Sequence, residues 1–299
     1  MYLDDFIRKH KGELEKNLLS EMWIHIKIPP IISSTVAFIN NPEYECLNII
    51  DGEADELLCD SRKYKCSGTM VWFIQCLYDY LILHSSLPSS TLKISNGVIE
   101  LLALYNNLSH SILLEAKAST QTLKSITVGH LSLNLISLDF LVREIKYFVA
   151  RIDLKSSEKT KSAEWNTTKS ELLNHKIEIQ KKVCDIVCTR INEEFNKIFA
   201  SDYTQIHETP SEMIGSIRST LMQLYNQLNK YLDREDINSI FLLICSNLAS
   251  KIRECTKITN GRTKLIEDLN CLSKDMVTLQ LKENFDKVCD AIKFIDSNI

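Results

Sequence analysis

The strongest constraint on the fold is the stretch from Leu123 to Ile152, in the middle of the chain. Its apolar residues recur every three to four positions, which predicts one long helix with an apolar stripe. The stripe consists of Leu131, Leu135, Leu138, Leu141, Val142, Ile145, Phe148, Val149 and Ile152. Leu133, Ile136 and Phe140 widen it, so we expect a helix buried among other helices. Charged residues from Asp139 to Lys146 make the stretch too polar to span a membrane.

Glycine and proline are scarce along the whole chain. The 299 residues include 7 Gly and 5 Pro, whereas average usage gives roughly 20 Gly and about 15 Pro. Sheets and tight loops need both residues, so their scarcity favours long helices joined by short turns. The net charge of -4 argues against a nucleic-acid partner. No signal peptide is visible, because charges interrupt the apolar positions from Met1 to Ile28.

Ten cysteines are spread over the chain without a C-x-x-C pair or zinc-type spacing. Most fall on apolar helical faces, where a free thiol behaves as a small hydrophobe. We therefore expect reduced core thiols in a cytosolic protein. Cys184 and Cys188 share a helix face at i, i+4, and this spacing alone is a weak sign of a metal or redox pair.

The first half of the chain predicts a helical bundle over residues 1–153. A helix from Tyr2 to about Ile28 is followed by Pro29-Pro30, and a short apolar helical segment comes next. Residues 40–66 include an acidic run from Asp51 to Glu56 and predict a long solvated loop. Further helices are predicted over 69–83 and from 91 onward, continuing to about 121.

The second half predicts another bundle, over residues 165–299, after a polar linker at 154–164. We expect four helices there, joined by short turns in antiparallel order. The second of them starts at Thr209-Pro210-Ser211-Glu212, with proline near the first turn and an acid at the positive end. Leu224 and Ile244 are expected to point inward.

The sequence contains no recognisable catalytic pattern. It lacks a glycine-rich phosphate loop, G-x-S-x-G and H-E-x-x-H, and it has no repeated Glu-x-x-His of the kind found in di-iron bundles. We predict no catalytic, cofactor-binding or metal-binding residues and no cofactor. His110 and His130 are interpreted as structural. The residues alone indicate an all-α, elongated protein, interpreted as an interaction scaffold.

Leu123-Lys124-Ser125-Ile126-Thr127, followed by a long apolar helix with Leu131 and Leu133, resembles a known segment. The segment belongs to the C-terminal region of the vacuolar protein sorting-associated protein 54 family, subunits of the Golgi-associated retrograde protein (GARP) tethering complex. Other features match in order and cover nearly the whole chain. They are Glu21-Met22-Trp23, Tyr64, Gly68-Thr69-Met70, Pro210-Ser211 and Leu279-Gln280-Leu281.

The resemblance implies a non-enzymatic subunit built as a helical rod of stacked antiparallel bundles. Its implied role is to capture endosome-derived vesicles at the trans-Golgi network, in retrograde transport. Implied partners are other tethering-complex subunits, Golgi SNAREs and small GTPases. The implied location is cytosolic, with peripheral association at trans-Golgi network and endosomal membranes.

The chain departs from the family pattern in several places. Family members are longer and carry an N-terminal coiled coil. Ala116-Lys117-Ala118 replaces a glycine-rich turn, Lys146 replaces a helix proline, and Asp153 to Glu164 is expected to be an insertion. The alternatives are a subunit of another helical-rod tether, of the exocyst or conserved oligomeric Golgi type, and an all-helical enzyme. The partner-binding surface is not predicted.

Overall fold

A computed structural model describes residues 2–41, 43–44, 52–115, 125–154, 162–206, 208–278 and 282–297. The predicted all-α class is confirmed, since almost every element in these ranges is a helix. The residues divide into unit one, Met1–Ile179, and unit two, Gln180–Ile299. None of the described helices is long and apolar enough to cross a bilayer.

Unit one combines helices with one small hairpin. Its helices are α1 (Tyr2–Leu19), α2 (Pro30–Asn40), α3 (Gly68–Ser86), α4 (Thr91–Leu113), α5 (Val128–Leu154) and the first part of α6 (Ser162–Ala200). Its strands are β1 (Leu57–Cys59) and β2 (Arg62–Tyr64). α1 packs on α3 and α4, α2 packs on α3 and α5, and the hairpin lies against α2 and α5.

α5 is the predicted central helix, and its first residue is set by a side-chain cap. The Thr127 hydroxyl accepts a hydrogen bond from the His130 amide, and the Thr127 amide donates to Nδ1 of His130, both at 3.3 Å. This is a reciprocal capping arrangement, and it satisfies two amides at the helix start. Ten consecutive residues, Leu131 to Phe140, are then buried. The interpretation of a helix buried on most sides is therefore confirmed.

α1 is shorter than predicted. It ends at Leu19, and the chain from there to Ile28 is not helical. The buried carboxylate of Glu21 accepts hydrogen bonds from the amides of Trp23 (3.0 Å) and Thr69 (2.7 Å). Trp23 takes a positive φ of 51°, which a helix cannot accommodate, and it buries its indole. These tertiary contacts outweigh the helical periodicity of the segment.

The acidic stretch 40–66 differs from the expected solvated loop. Residues 42 and 45–51 lie outside the described residues, and the rest contains the β1–β2 hairpin. The strands pair in the register Leu57 with Tyr64, Leu58 with Lys63 and Cys59 with Arg62. Asp60 and Ser61 form its two-residue turn with φ of 50° and 65°, which is the geometry of a type I′ turn. The hairpin buries Leu57, Cys59 and Tyr64, so it is part of the core.

The regular elements in the described part of unit two are all helices. After the remainder of α6 the unit contains α7 (Glu212–Leu228), α8 (Arg234–Glu254), α9 (Arg262–Thr278) and α10 (Lys282–Ser297). α8 packs on α10, and α9 contacts both α7 and α10. The sequence predicted one last helix where α9 and α10 are separate, so the predicted count of four helices is wrong for the described residues.

The start of α7 is as predicted. Ser211 is its N-cap, with the hydroxyl accepting from the Ile214 amide at 3.4 Å, and Glu212 lies in the first turn. Leu224 and Ile244 are buried as expected, with 4% and 0% of their surfaces exposed. The three-and-four spacing of α7 and α8 therefore identifies their core faces correctly.

The division between the units falls inside α6, at Ile179. The sequence placed a polar linker at 154–164 instead, and residues 155–161 of that linker lie outside the described residues. The linker and the bounds 1–153 and 165–299 stay predictions. Nine cysteines lie in the described part, all of them free, and seven of these are buried.

Candidate functional site

The central helix carries a polar stripe along its second half. Asp139, Arg143, Tyr147 and Arg151 recur every four residues, so they lie along one side of α5. Glu144 lies beside this stripe and is buried. These side chains contact the hairpin and the end of α2, and we call the five residues the hairpin clamp.

Asp139 is the most highly connected member of the clamp. Its carboxylate accepts hydrogen bonds from Nζ of Lys176 on α6 (2.7 Å), the Tyr64 hydroxyl (3.0 Å) and Nε of Arg143 (3.1 Å). Nη1 of Arg62 lies 3.4 Å away. One carboxylate therefore joins β2, α5 and α6 within unit one.

Burial by itself would raise the pKa of Asp139, but the hydrogen bonds and positive charges of Lys176 and Arg143 lower it below its ordinary value. The carboxylate is therefore ionised at neutral pH. Burial beside the negative Asp139 also raises the pKa of Tyr64, so the phenol stays a hydrogen-bond donor.

The hairpin turn is held by a second group of contacts. Asp60 accepts a hydrogen bond from Nζ of Lys146 at 2.9 Å and another from the hydroxyl of Tyr147. Both bonds lower the pKa of Asp60 below its ordinary value. The pair with Lys146 is exposed, and exposed ion pairs contribute little stability. These contacts fix the position of the turn on α5 more than they stabilise the unit.

Arg151 holds the end of α2 and the residues after it. Its guanidinium lies 3.7 Å from the ring centroid of Phe38 and donates to the carbonyls of Asn41 (2.7 Å) and Tyr44. Stacking on an aromatic face suits the planar guanidinium. Arg151 thereby binds two carbonyls that follow the end of α2 and holds this segment on α5.

Glu144 is the least satisfied member of the clamp. Its Oε1 accepts from the thiol of Cys59 at 3.5 Å, and Oε2 is buried without a partner among the described residues. Burial raises the pKa of Glu144 to about 7. Burial and the neighbouring Glu144 raise the pKa of Cys59 to about 12, so the thiol stays protonated.

The polar groups of the clamp bind other groups of unit one, and their role is structural. Asp139 pairs with Lys176 and Asp60 pairs with Lys146, while Arg151 donates hydrogen bonds to backbone carbonyls. Across the described part of the chain, no three His, Cys, Asp or Glu side chains are placed to hold a metal ion. The arrangement positions β1, β2 and α2 on α5.

The predicted family-signature residues lie at the start of α5. Leu123 and Lys124 are outside the described residues. Ser125 and Thr127 are exposed and Ile126 is half-buried, and Thr127 caps the helix. Leu131 and Leu133 are fully buried. The described signature residues therefore form a helix start and a core, away from the clamp at the other end of α5.

Sequence reasoning missed the clamp. Its charged residues were interpreted only as interruptions of an apolar stretch. The sequence signal for the clamp was the recurrence of polar residues every four positions in a helix that is otherwise buried. Buried charges require polar partners, so this recurrence indicates contacts with other elements. The hairpin was missed because Asp60-Ser61 is a weaker turn signal than Asn-Gly or Asp-Gly.

Two surface features of unit one are accessible to a partner. Leu19, Met22 and Ile24 are each roughly half exposed and follow one another at the end of α1. A groove of about 640 Å³ lies between α1 and α4 and is lined by Arg8, Lys11 and other charged residues. Ion pairs such as Lys11 with Glu100 (2.8 Å) cross this groove.

The matching family model and the similar proteins carry the same family name. The family model described as Vps54-like protein matches residues 61–190, which include β2, α3, α4, α5 and most of α6. Vacuolar protein sorting-associated protein 54 of Caenorhabditis elegans is 26% identical over 201 residues, covering 66% of this chain and 18% of that protein. The Homo sapiens protein of the same name is 22% identical over 252 residues, covering 81% of this chain and 25% of that protein.

The Mus musculus protein of that name is 23% identical over 252 residues, with the same coverage of 81% and 25%. No solved structure matches the chain. The chain spans about a fifth to a quarter of the length of these relatives. Every member of the hairpin clamp falls inside the matched range. Residues 61–190 therefore match the Vps54-like family model, and the chain is similar to three proteins named vacuolar protein sorting-associated protein 54.

Proposed function

We propose that this chain is a non-enzymatic subunit of a multisubunit, GARP-like vesicle-tethering complex, acting in retrograde transport from endosomes to the trans-Golgi network. The family match over residues 61–190 carries the proposal. The relatives carry the name vacuolar protein sorting-associated protein 54, which links them to vacuolar protein sorting.

The partners proposed are other tethering-complex subunits, Golgi SNAREs and small GTPases. A binding protein needs a rigid framework below its contact surface, because ordering a mobile surface costs binding free energy. The clamp supplies such a framework by fixing the hairpin and α2 on α5. Exposed apolar side chains on unit one, such as Met22 and Ile24, are the surface to test first.

Affinity purification of the tagged chain from its native cells tests the proposal. We expect co-purification of GARP-type subunits and Golgi SNAREs. Recovery of exocyst or conserved oligomeric Golgi subunits instead would replace the proposal with the alternative tether. Repeated recovery of unrelated complexes would contradict both.

Two variants serve as controls for the purification. Ile244→Asn disrupts a fully buried position of unit two and shows which partners require the folded unit. Glu171→Gln changes an exposed residue of α6 and should leave the recovered set unchanged. Loss of partners with both variants would show that the purification itself is fragile.

We further propose that the chain reaches trans-Golgi network and endosomal membranes peripherally, through its partners. Flotation with anionic liposomes, at low and at moderate salt, tests direct lipid binding. We expect the purified chain to stay in the dense fraction at both salt concentrations. Flotation that persists at moderate salt would show that the chain binds lipid by itself.

A further inference from the structure

Glu144 lies at the meeting point of α5, β1 and the end of α2, with 1% of its surface exposed. Its Oε1 accepts a hydrogen bond from the Cys59 thiol, a weak donor, at 3.5 Å. Oε2 has no partner in the described part of the chain. An ionised carboxylate in this position would be buried almost without compensation, which is strongly unfavourable.

The groups around Glu144 compensate its charge only in part: Cys59, Asn40 and Lys146 lower the pKa of the carboxyl, and burial outweighs them. On the hairpin side stand the neutral thiol of Cys59 and the negative carboxylate of Asp60. On α5 itself, the ammonium of Lys146 is paired with Asp60 at 2.9 Å. On the α2 side, Asn40 offers a neutral amide.

The remaining neighbours of Glu144 are apolar. A cavity of about 10 Å³ beside it is walled by Leu77 of α3, Leu102 of α4 and Trp165 of α6. Burial in these surroundings is the largest cause of the raised pKa of Glu144. The side chain therefore carries a proton through much of the range in which an exposed glutamate is ionised.

Protonation also adds a hydrogen-bond donor to a cluster that contains an unpaired acceptor. Nδ2 of Asn40 donates to the Cys59 sulfur at 3.4 Å, while Oδ1 of Asn40 is buried without a partner in the described residues. Protonated Glu144 has an O–H donor, and Asn40 supplies an acceptor in the same cluster. Ionised Glu144 adds a further acceptor to a place that already has an unpaired one.

We propose that Glu144 is a proton-linked latch for the hairpin: protonated Glu144 holds Leu57–Tyr64 on α5, and loss of the proton favours release of the hairpin. Release exposes the carboxylate to water, where ionisation is no longer penalised. A carboxyl group with a raised pKa in the closed form stabilises that form at low pH, and the stabilisation is lost as the pH rises through about 7. The equilibrium constant for opening should therefore rise roughly 40-fold between pH 5 and pH 7 and then level off.

Hydrogen exchange of the hairpin tests the latch. The full chain is labelled at pH 5, 6, 7 and 8, rates are corrected for the intrinsic pH dependence of exchange, and peptides covering residues 54–66 are followed by mass spectrometry. In the unaltered chain we expect corrected protection to fall up to about pH 7. In Glu144→Gln, which mimics the protonated acid, protection should be flat across this range. Glu171→Gln, at an exposed position of α6, should behave as the unaltered chain.

An equal pH dependence in Glu144→Gln and the unaltered chain would overturn the proposal. A second measurement stands independently of any variant's folding: titration of the Glu144 side-chain carboxyl by carbon NMR in the unaltered chain. A midpoint near pH 7 supports the latch, and a midpoint near the ordinary value of 4.5 overturns it.

Discussion

The two units of this chain are stabilised differently. Unit one buries charged side chains in its core, with Glu21, Asp139, Glu144 and Arg151 holding irregular segments and a hairpin in place. In unit two the described helices bury regular apolar stripes, and buried Asp268 ties one helix start to another element. The comparison shows which interactions determine the fold of each unit. Apolar periodicity is enough for a simple helical unit, whereas attaching a hairpin to a helix requires polar contacts.

The largest loss of stability is expected from a substitution in the apolar core of unit two. Ile244→Asn places an unpaired polar group at a fully buried position of α8 and should destabilise the unit by about 4 kcal/mol. The measurement is the free energy of opening from hydrogen exchange of α8. Leu243→Ser, at a partly exposed neighbouring position, is the control and should change it by under about 0.5 kcal/mol. Similar losses in both variants would show that the face of α8 is wrongly assigned.

The next effect is expected in the polar core of unit one. Asp139→Asn removes the charge that compensates Lys176 and Arg143 and should destabilise unit one by about 3 kcal/mol at neutral pH. All three tryptophans, Trp23, Trp72 and Trp165, lie in unit one, so fluorescence during urea unfolding reports this unit. The control Asp5→Asn affects an exposed pair with Arg8 and should have little effect.

The same variant has a pH signature. Because the folded pKa of Asp139 lies below its ordinary value, its stabilisation is present above about pH 4 and is lost as the pH falls through the folded pKa. Unit one should therefore become less sensitive to acid in Asp139→Asn than in the unaltered chain, measured by fluorescence between pH 2 and pH 5. An unchanged acid transition would show that the folded pKa of Asp139 does not lie below its ordinary value.

The same contrast between the units explains which structural features the sequence predicts. The faces of α5, α7 and α8 were predictable because each repeats apolar residues every three to four positions. The start of α7 was predictable because Pro210-Ser211-Glu212 combines a cap with an acid in the first turn. These signals are local, so they survive without knowledge of the tertiary structure.

The clamp and the hairpin were not predictable in the same way. The end of α1 depends on contacts between Glu21 and Thr69, 48 residues apart in the chain. The clamp depends on α5 meeting a hairpin whose turn, Asp60-Ser61, has a weak sequence signature. Such contacts exist only after the fold brings distant residues together.

A smaller effect is expected where unit two does use a buried charge. Asp268 accepts hydrogen bonds from the Ser211 amide (2.7 Å), the Ser211 hydroxyl and the Tyr203 hydroxyl (3.3 Å). Asp268→Ala leaves these donors unpaired and should destabilise unit two by about 2 kcal/mol, measured by hydrogen exchange of α7. The neighbouring substitution Glu267→Ala alters an exposed residue and serves as the control.

The smallest effect is expected at the start of α5. Thr127→Ala removes the hydroxyl that caps the His130 amide and should cost about 1 kcal/mol of unit-one stability, followed by tryptophan fluorescence. Ser125→Ala, two residues earlier and exposed, should leave the stability unchanged. Equal losses in the two variants would assign the effect to the segment as a whole instead of the cap.

The central claim is that polar contacts from α5 hold the hairpin in unit one. A double-mutant cycle with Tyr64→Phe and Asp139→Asn, followed by tryptophan fluorescence during urea unfolding, measures the contact that joins them at 3.0 Å. We predict a coupling free energy of about 1 kcal/mol between the two residues. Additivity of the two substitutions within about 0.3 kcal/mol would contradict the claim.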